Sequence, residues 1–138
     1  AQKRTGPCHY KVGVFTNLTQ DHLDVHGSME NYYQAKKLLF GICDTAVINI
    51  DDEYGRRYLR EITCPAKTFS AAEPADFYAE DITLGAGGVK YVYCDGKSKH
   101  NVNFAMPGLF NVSNSLAVIA CCETLGFEPK AVIRELNF

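Results

Sequence analysis

The densest run of chemistry-bearing side chains is Thr16-Asn17-Leu18-Thr19-Gln20-Asp21-His22-Leu23-Asp24-Val25-His26-Gly27. Two imidazoles and two carboxylates fall within six residues, a donor set able to bind a divalent cation. The same side chains also make ordinary turn bonds in a solvated loop, and no standard metal motif is matched. A second anomaly follows. Met29, Tyr32, Tyr33, Lys36 and Phe40 are separated by helical steps, which places Lys36 on an apolar helix face and leaves Lys37 off it. Two explanations stay open: a stem packed on the protein with its amine in water, or a desolvated amine that is reactive or modified. A third candidate is Phe110-Asn111-Val112-Ser113-Asn114-Ser115. Asn111 reads as a helix N-cap, and Asn114, one turn in, as an amide offered to a ligand such as a base edge. Asn49-Ile50-Asp51-Asp52-Glu53 reads as turn and cap chemistry.

Several common sites are missing. No G-x-x-x-x-G-K-[ST] phosphate cradle occurs, and Gly85-Ala86-Gly87-Gly88 lacks the Lys-Ser/Thr that would complete one. No G-x-S-x-G or H-E-x-x-H is present. The cysteines at 8, 43, 64, 94, 121 and 122 form no C-x-x-C pair, and with the four histidines they match no zinc-finger spacing. They read as small apolar residues in a reducing compartment, not as a disulfide framework.

The elements that must position these residues follow from pattern. Lys11–Leu18 is β-branched and aromatic, which predicts a buried strand. A polar loop covers 19–27. Ser28 predicts a helix start, with Glu30 in its first turn, and the helix runs to about Phe40. Ala46–Ile50 predicts a second strand, Asp51 or Asp52 caps a short helix to about Arg60, and Ala66–Phe69 predicts a third strand. Phe77–Leu84, Val89–Cys94 and Asn101–Ala105 predict three more, separated by the turn signals Ala86-Gly87-Gly88 and Asp95-Gly96-Lys97. Two helices close the chain: Asn111 to about Leu125, with Gly126 just past its end, and Pro129 to about Leu136. The expected class is α/β, a mainly parallel sheet flanked by helices with a small antiparallel β annex.

Composition sets outer bounds. The chain has 138 residues, 46% apolar and 22% charged, which suits one folded domain. A net charge of −2 gives no reason to expect nucleic acid or an anionic membrane as partner. No apolar run approaches the roughly 18 residues of a membrane span, and no secretory h-region is visible. The chain opens on Ala-Gln-Lys-Arg-Thr-Gly-Pro without Met, as a processed protein or an excised fragment would. Oligomeric state is not legible here.

Three segments carry a resemblance. Thr16–Phe40 (TNLTQDHLDVHGSMENYYQAKKLLF), Val47–Arg57 (VINIDDEYGRR) and Gly108–Ala120 (GLFNVSNSLAVIA) resemble the Mur ligases, most closely the MurE type that adds the third amino acid to the UDP-N-acetylmuramoyl peptide. The resemblance implies that 1–138 is an incomplete central, ATP-binding domain lacking the P-loop portion, with the N-terminal UDP-binding and C-terminal domains absent. It implies an ATP-dependent acid–amino acid ligase of peptidoglycan synthesis, cytoplasmic, acting through an acyl phosphate. Its partners would be ATP, UDP-N-acetylmuramoyl-L-alanyl-D-glutamate, and meso-diaminopimelate or L-lysine. The isolated segment would be inactive. By the same resemblance His22 and Lys36 hold Mg²⁺, Lys36 as a carbamate. Asn114 contacts adenine with Asn111 supporting the helix start, and Arg4 contacts the UDP-linked peptide. The alternatives are a stand-alone module that binds metal or nucleotide without catalysis, and a folylpolyglutamate synthetase relative. The D-H-L-D-V-H-G-S-M-E segment argues against the latter, and a first parallel strand that starts near Lys11 with no βαβ unit before it argues against the former; a fragment of this kind is expected to leave a sheet edge uncovered.

Overall fold

The computed structural model describes residues 10–17 and 28–137. Among these, the chain forms strands β1 (Tyr10–Phe15), β2 (Cys43–Asn49), β3 (Ala66–Ser70), β4 (Phe77–Gly85), β5 (Gly88–Cys94) and β6 (Lys99–Phe104). Its helices are α1 (Ser28–Phe40), α2 (Glu53–Glu61), α3 (Leu109–Thr124) and α4 (Pro129–Leu136). The strands make one sheet in chain order, β1 to β6. The first four run parallel and the last three antiparallel. The antiparallel part is therefore no separate layer. It joins the parallel part through the pairs Phe69↔Phe77 and Ser70↔Tyr78.

Strand alternation sends successive side chains to opposite faces. In β2, Ala46 and Ile48 pack with Phe15, Tyr33, Phe40 and Tyr58 under α1 and α2. Val47, between them, packs with Phe69, Tyr91, Val112 and Leu116 under α3 and α4. Each face thus has its own apolar core, and each large side chain buried there contributes on the order of 1.5–3 kcal/mol. Tyr58 centres the first core. Its ring stacks on Tyr33 at 4.3 Å and meets Phe15 and Phe40 edge-on at 4.9 and 5.0 Å. Its hydroxyl, which burial would otherwise leave unsatisfied, donates to the Tyr33 carbonyl at 3.0 Å.

Helix ends follow their local chemistry. Asp52 caps α2 by accepting from the Tyr54 N–H at 2.8 Å. Gly126, at φ +101°, follows the last turn of α3 in the left-handed conformation that glycine adopts without strain. Pro129 occupies the first turn of α4. The start of α3 corrects the expectation. The helix opens at Leu109 after a Gly108 cap at φ +106°, so Asn111 is not the N-cap. Its buried side chain instead donates to the Pro107 carbonyl at 2.9 Å, satisfying the turn that leads into the helix.

One edge of the sheet is closed by a side chain. The carboxamide of Asn137, just past α4, lies along β6. Its Oδ1 accepts from the Asn103 N–H at 2.7 Å, and its Nδ2 donates to the Asn101 carbonyl at 3.4 Å. The amide thereby occupies two of the main-chain groups that another strand would use.

Candidate functional site

The carboxyl ends of the parallel strands are tied to one another by side chains. Asn49, buried at the end of β2, donates through Nδ2 to the Thr16 carbonyl at 2.8 Å and accepts through Oδ1 from the Asp51 N–H at 2.9 Å. Asp51 in turn accepts from the Ser70 hydroxyl at 2.6 Å and from the Ala71 N–H at 2.7 Å. Ser70, fully buried, accepts from the Ala72 and Glu73 N–H groups, both at 2.9 Å. These bonds fix the exits of β1, β2 and β3 relative to one another. In open α/β sheets the ligand crevice lies outside such carboxyl ends. The turn and cap chemistry expected of 49–53 is what the structure shows.

Gly55 holds this rim against α2. A Cβ at Gly55 would lie 1.9 Å from the Asn49 carbonyl oxygen, so only glycine allows the helix to approach so closely.

On the α3 face, a groove of about 430 Å³ runs between β1 and α3. Val14, Ala117, Val118, Cys121 and Cys122 give it apolar walls, and Thr16 and Asn114 also line it. Asn114 is exposed, and one of its amide hydrogens points to Asn111 Oδ1 at 3.4 Å. Its carbonyl and second N–H have no partner among the described residues. Asn111 therefore orients Asn114 from below. Further along the same face, the Ser115 hydroxyl donates to the Asn111 carbonyl at 2.8 Å and lies 2.7 Å from the Tyr91 hydroxyl. This ties the first turns of α3 to β5, and burial pushes the Tyr91 hydroxyl well above the ordinary phenol range.

Lys36 lies on the other face of the sheet, on α1. The expected apolar stripe is shifted. The buried positions of α1 are Tyr33 and Phe40, while Tyr32 is exposed and Lys36 half-buried. The shift follows from α2, because Tyr58 stacks on Tyr33 and Glu61 pairs with Lys37 at 3.1 Å. Lys36 thus sits at the margin of the seam, its amine 5.7 Å from the centroid of the Tyr32 ring. Other charged groups of this helix are held in place. Glu30 makes a two-pronged pair with Arg57 at 2.8 and 2.9 Å, and Lys37 binds Glu61. No carboxylate pairs with Lys36 among the described residues.

The structure thus places Lys36 and Asn114 on helices that cover opposite faces of one sheet, with β1 between them. His22 and Arg4 lie outside the described residues. No group of three or more His, Cys, Asp or Glu able to hold a metal ion occurs among the described residues. Lys36 as an amine is itself a cation and repels Mg²⁺. Only as a carbamate would it present the oxygen donors that this ion takes. The described cysteines are all free thiols. Cys43 and Cys94 are buried, and Cys64, Cys121 and Cys122 half-buried. No helix among the described residues is long and apolar enough to cross a membrane.

The tied strand exits and the groove between β1 and α3 define an open-sheet α/β domain. The family described as Mur ligase middle domain matches residues 1–122, and the chain belongs to that family. It is 42% identical over 128 residues to a UDP-N-acetylmuramoyl-L-alanyl-D-glutamate--2,6-diaminopimelate ligase of Clostridium tetani, covering 93% of this chain and 26% of that protein. It is 41% identical over 141 residues to the enzyme of the same name from Synechocystis sp., covering 99% of this chain and 28% of the relative. The chain therefore spans little more than a quarter of these relatives. Among solved structures, a ligase of the same name superposes with TM-score 0.83 at 28% identity, covering 94% of this chain and 28% of that one. A pseudomurein peptide ligase type C from Methanothermus fervidus shares the fold, with TM-score 0.78 at 19% identity, over 92% of this chain and 33% of that one.

Proposed function

We propose that this chain is part of the central domain of an ATP-dependent ligase that adds 2,6-diaminopimelate to UDP-N-acetylmuramoyl-L-alanyl-D-glutamate. The observation that carries the reading is the family match over 1–122 together with Asn114 on the groove between β1 and α3. Diaminopimelate is favoured over L-lysine because the relatives above are named for it. The reaction would run in two displacements. A D-glutamate carboxylate oxygen attacks the γ-phosphorus of ATP, the bond to the β-phosphate oxygen breaks, and ADP leaves. The amine of diaminopimelate then attacks the acyl carbon, phosphate leaves, and the amine proton passes to solvent. Such chemistry depends on positioning and on neutralising phosphate charge.

The roles of this chain's residues follow. Asn114 would hold the adenine edge with its free amide groups, oriented by Asn111. Lys36, half-buried on Tyr32 and without a carboxylate partner among the described residues, would carry the carbamate that the family resemblance implies. With His22 it would then hold Mg²⁺, which when bound supplies charge neutralisation at the phosphates. Arg4 would contact the UDP-linked dipeptide. The compartment would be the cytoplasm, where ATP is supplied.

The test replaces the corresponding segment of the Clostridium tetani relative with this chain. Phosphate release that requires ATP, the UDP-linked dipeptide and diaminopimelate together supports the reading. A folded chimera without turnover overturns it. The 138 residues alone are expected to release no phosphate, and turnover by them would refute their being an incomplete domain.

A further inference from the structure

The sulfurs of Cys43 and Cys64 stand 3.9 Å apart. Cys43 opens β2 and is buried, while Cys64 lies in the segment between α2 and β3 and is half-buried. The two segments are already bonded beside the pair, for the Ala46 N–H donates to the Pro65 carbonyl at 2.9 Å. A disulfide needs the sulfurs at about 2.0 Å, so closing the pair requires the two side chains to move together by roughly 2 Å.

We propose that Cys43 and Cys64 form an oxidisable pair that closes to an intramolecular disulfide when met by a hydroperoxide, with Cys64 attacked first. The thiolate of Cys64 takes the proximal peroxide oxygen, the O–O bond breaks, and the departing oxygen leaves as water after taking a proton. Cys64 is then a sulfenic acid. The Cys43 sulfur attacks it, the S–S bond forms, the S–O bond breaks, and the hydroxyl departs as a second water with the Cys43 proton. Two thiols lose two electrons and one hydrogen peroxide is reduced to two waters.

Exposure sets the order. Cys64 is the one the oxidant reaches, and burial together with its neighbour pushes the Cys43 thiol up to about 11, so Cys43 is a poor first nucleophile. No other described pair is so placed. Cys121 and Cys122 are consecutive on α3 and point in different directions, and Cys94 has no cysteine sulfur in contact among the described residues. The bond would tie α2, which carries Arg57 and Glu61, into a closed loop. The inference rests on this contact alone and is independent of the proposed ligase reading.

The test treats the reduced 138-residue chain with hydrogen peroxide, blocks remaining thiols, and maps peptides without reduction. The expected product is one linked peptide joining Cys43 and Cys64, reversed by dithiothreitol. The melting temperature of the oxidised chain should rise by several degrees, as expected for a loop of about this length. Cys64→Ser should abolish both the link and the rise, and Cys122→Ser neither. The same treatment in urea should scatter the pairing among all six cysteines. Accumulation of Cys64 as sulfinic or sulfonic acid, or its pairing with another cysteine in the native chain, would overturn the proposal.

Discussion

Glu30 and Arg57 face each other across the seam between α1 and α2, each carboxylate oxygen meeting one guanidinium nitrogen at 2.8 and 2.9 Å. The same guanidinium lies 3.9 Å from the centroid of the Tyr33 ring and reaches Glu61 at 3.3 Å. Glu61 also accepts from the Tyr33 hydroxyl at 2.6 Å. Arg57 thus uses its planar fork and its π face at once, which lysine cannot do. Arg57→Lys should lower the denaturant midpoint more than Arg56→Lys, whose half-exposed guanidinium pairs with Glu73 and donates to the Ile50 carbonyl but packs on no ring among the described residues. Equal effects of the two would refute the network.

The acid limb of stability follows from the same seam. The Arg57 guanidinium holds Glu30 at about 2, and the Tyr33 hydroxyl with Lys37 and Arg57 holds Glu61 at about 2, against an ordinary 4.5. Depressed acids contribute stability that is present above about pH 4.5 and lost as pH falls toward about 2. Glu61→Gln should flatten that limb in denaturant melts taken from pH 5 to 2. An unchanged slope would show that the seam is not the source.

Glu123 works in the opposite direction. Burial and the neighbouring Asp95 carboxylate push it up to about 7 from 4.5, against the Tyr93 hydroxyl, which donates to it at 2.8 Å, and the nearby Lys97. A raised acid favours its protonated form in the folded chain. Its contribution is therefore complete below about pH 4.5 and is lost as pH rises through about 7. Glu123→Gln keeps the acceptor for Tyr93 and removes the repulsion. It should stabilise the chain at pH 8 by about 1 kcal/mol, after discounting for solvent screening, and not at pH 4.5. A uniform effect at both values would rule out titration as the cause.

Gly55→Ala tests the rim. The new methyl would meet the Asn49 carbonyl at 1.9 Å, and backbone has to move to admit it. The expected cost is on the order of 2–3 kcal/mol or more, where an exposed glycine such as Gly87 should lose nothing on the same change. Wild-type stability in Gly55→Ala would show that α2 is free to slide.

In the chimera, Asn114→Ala should raise the KM for ATP about tenfold, the loss of roughly one hydrogen bond, and leave the melting temperature unchanged. Asn111→Ala should lower both stability and ATP affinity, because its buried amide also holds the Pro107 turn. A stability loss in Asn114→Ala of the same size would reduce its role to packing.

Most element boundaries were legible because local chemistry sets them. Asp52 caps α2, Pro129 starts α4, and the glycines at 88, 96 and 126 sit at positive φ where turns were expected. The start of α3 was not, because the cap is a glycine backbone conformation, whereas Asn111 advertises a side-chain cap it does not make. The face of α1 was misjudged for a different reason. Periodicity shows that a stripe exists, but its centre is decided by Tyr58 and Glu61 of another helix. The staple between Thr16 and Asn49 joins residues 33 apart in sequence, and no local pattern announces it. That Lys36 and Asn114 lie on opposite sides of β1 was not legible either, since it depends on which way each connection crosses the sheet.

The carboxamide of Asn137 along β6 bears on assembly. Fibres built by strand addition need two sticky sides, one to receive and one to offer. With Asn101 and Asn103 already engaged, the β6 side offers little. A copy adding a strand at β6 would first have to displace the Asn137 amide, which makes that side a poor place for a fibre to grow.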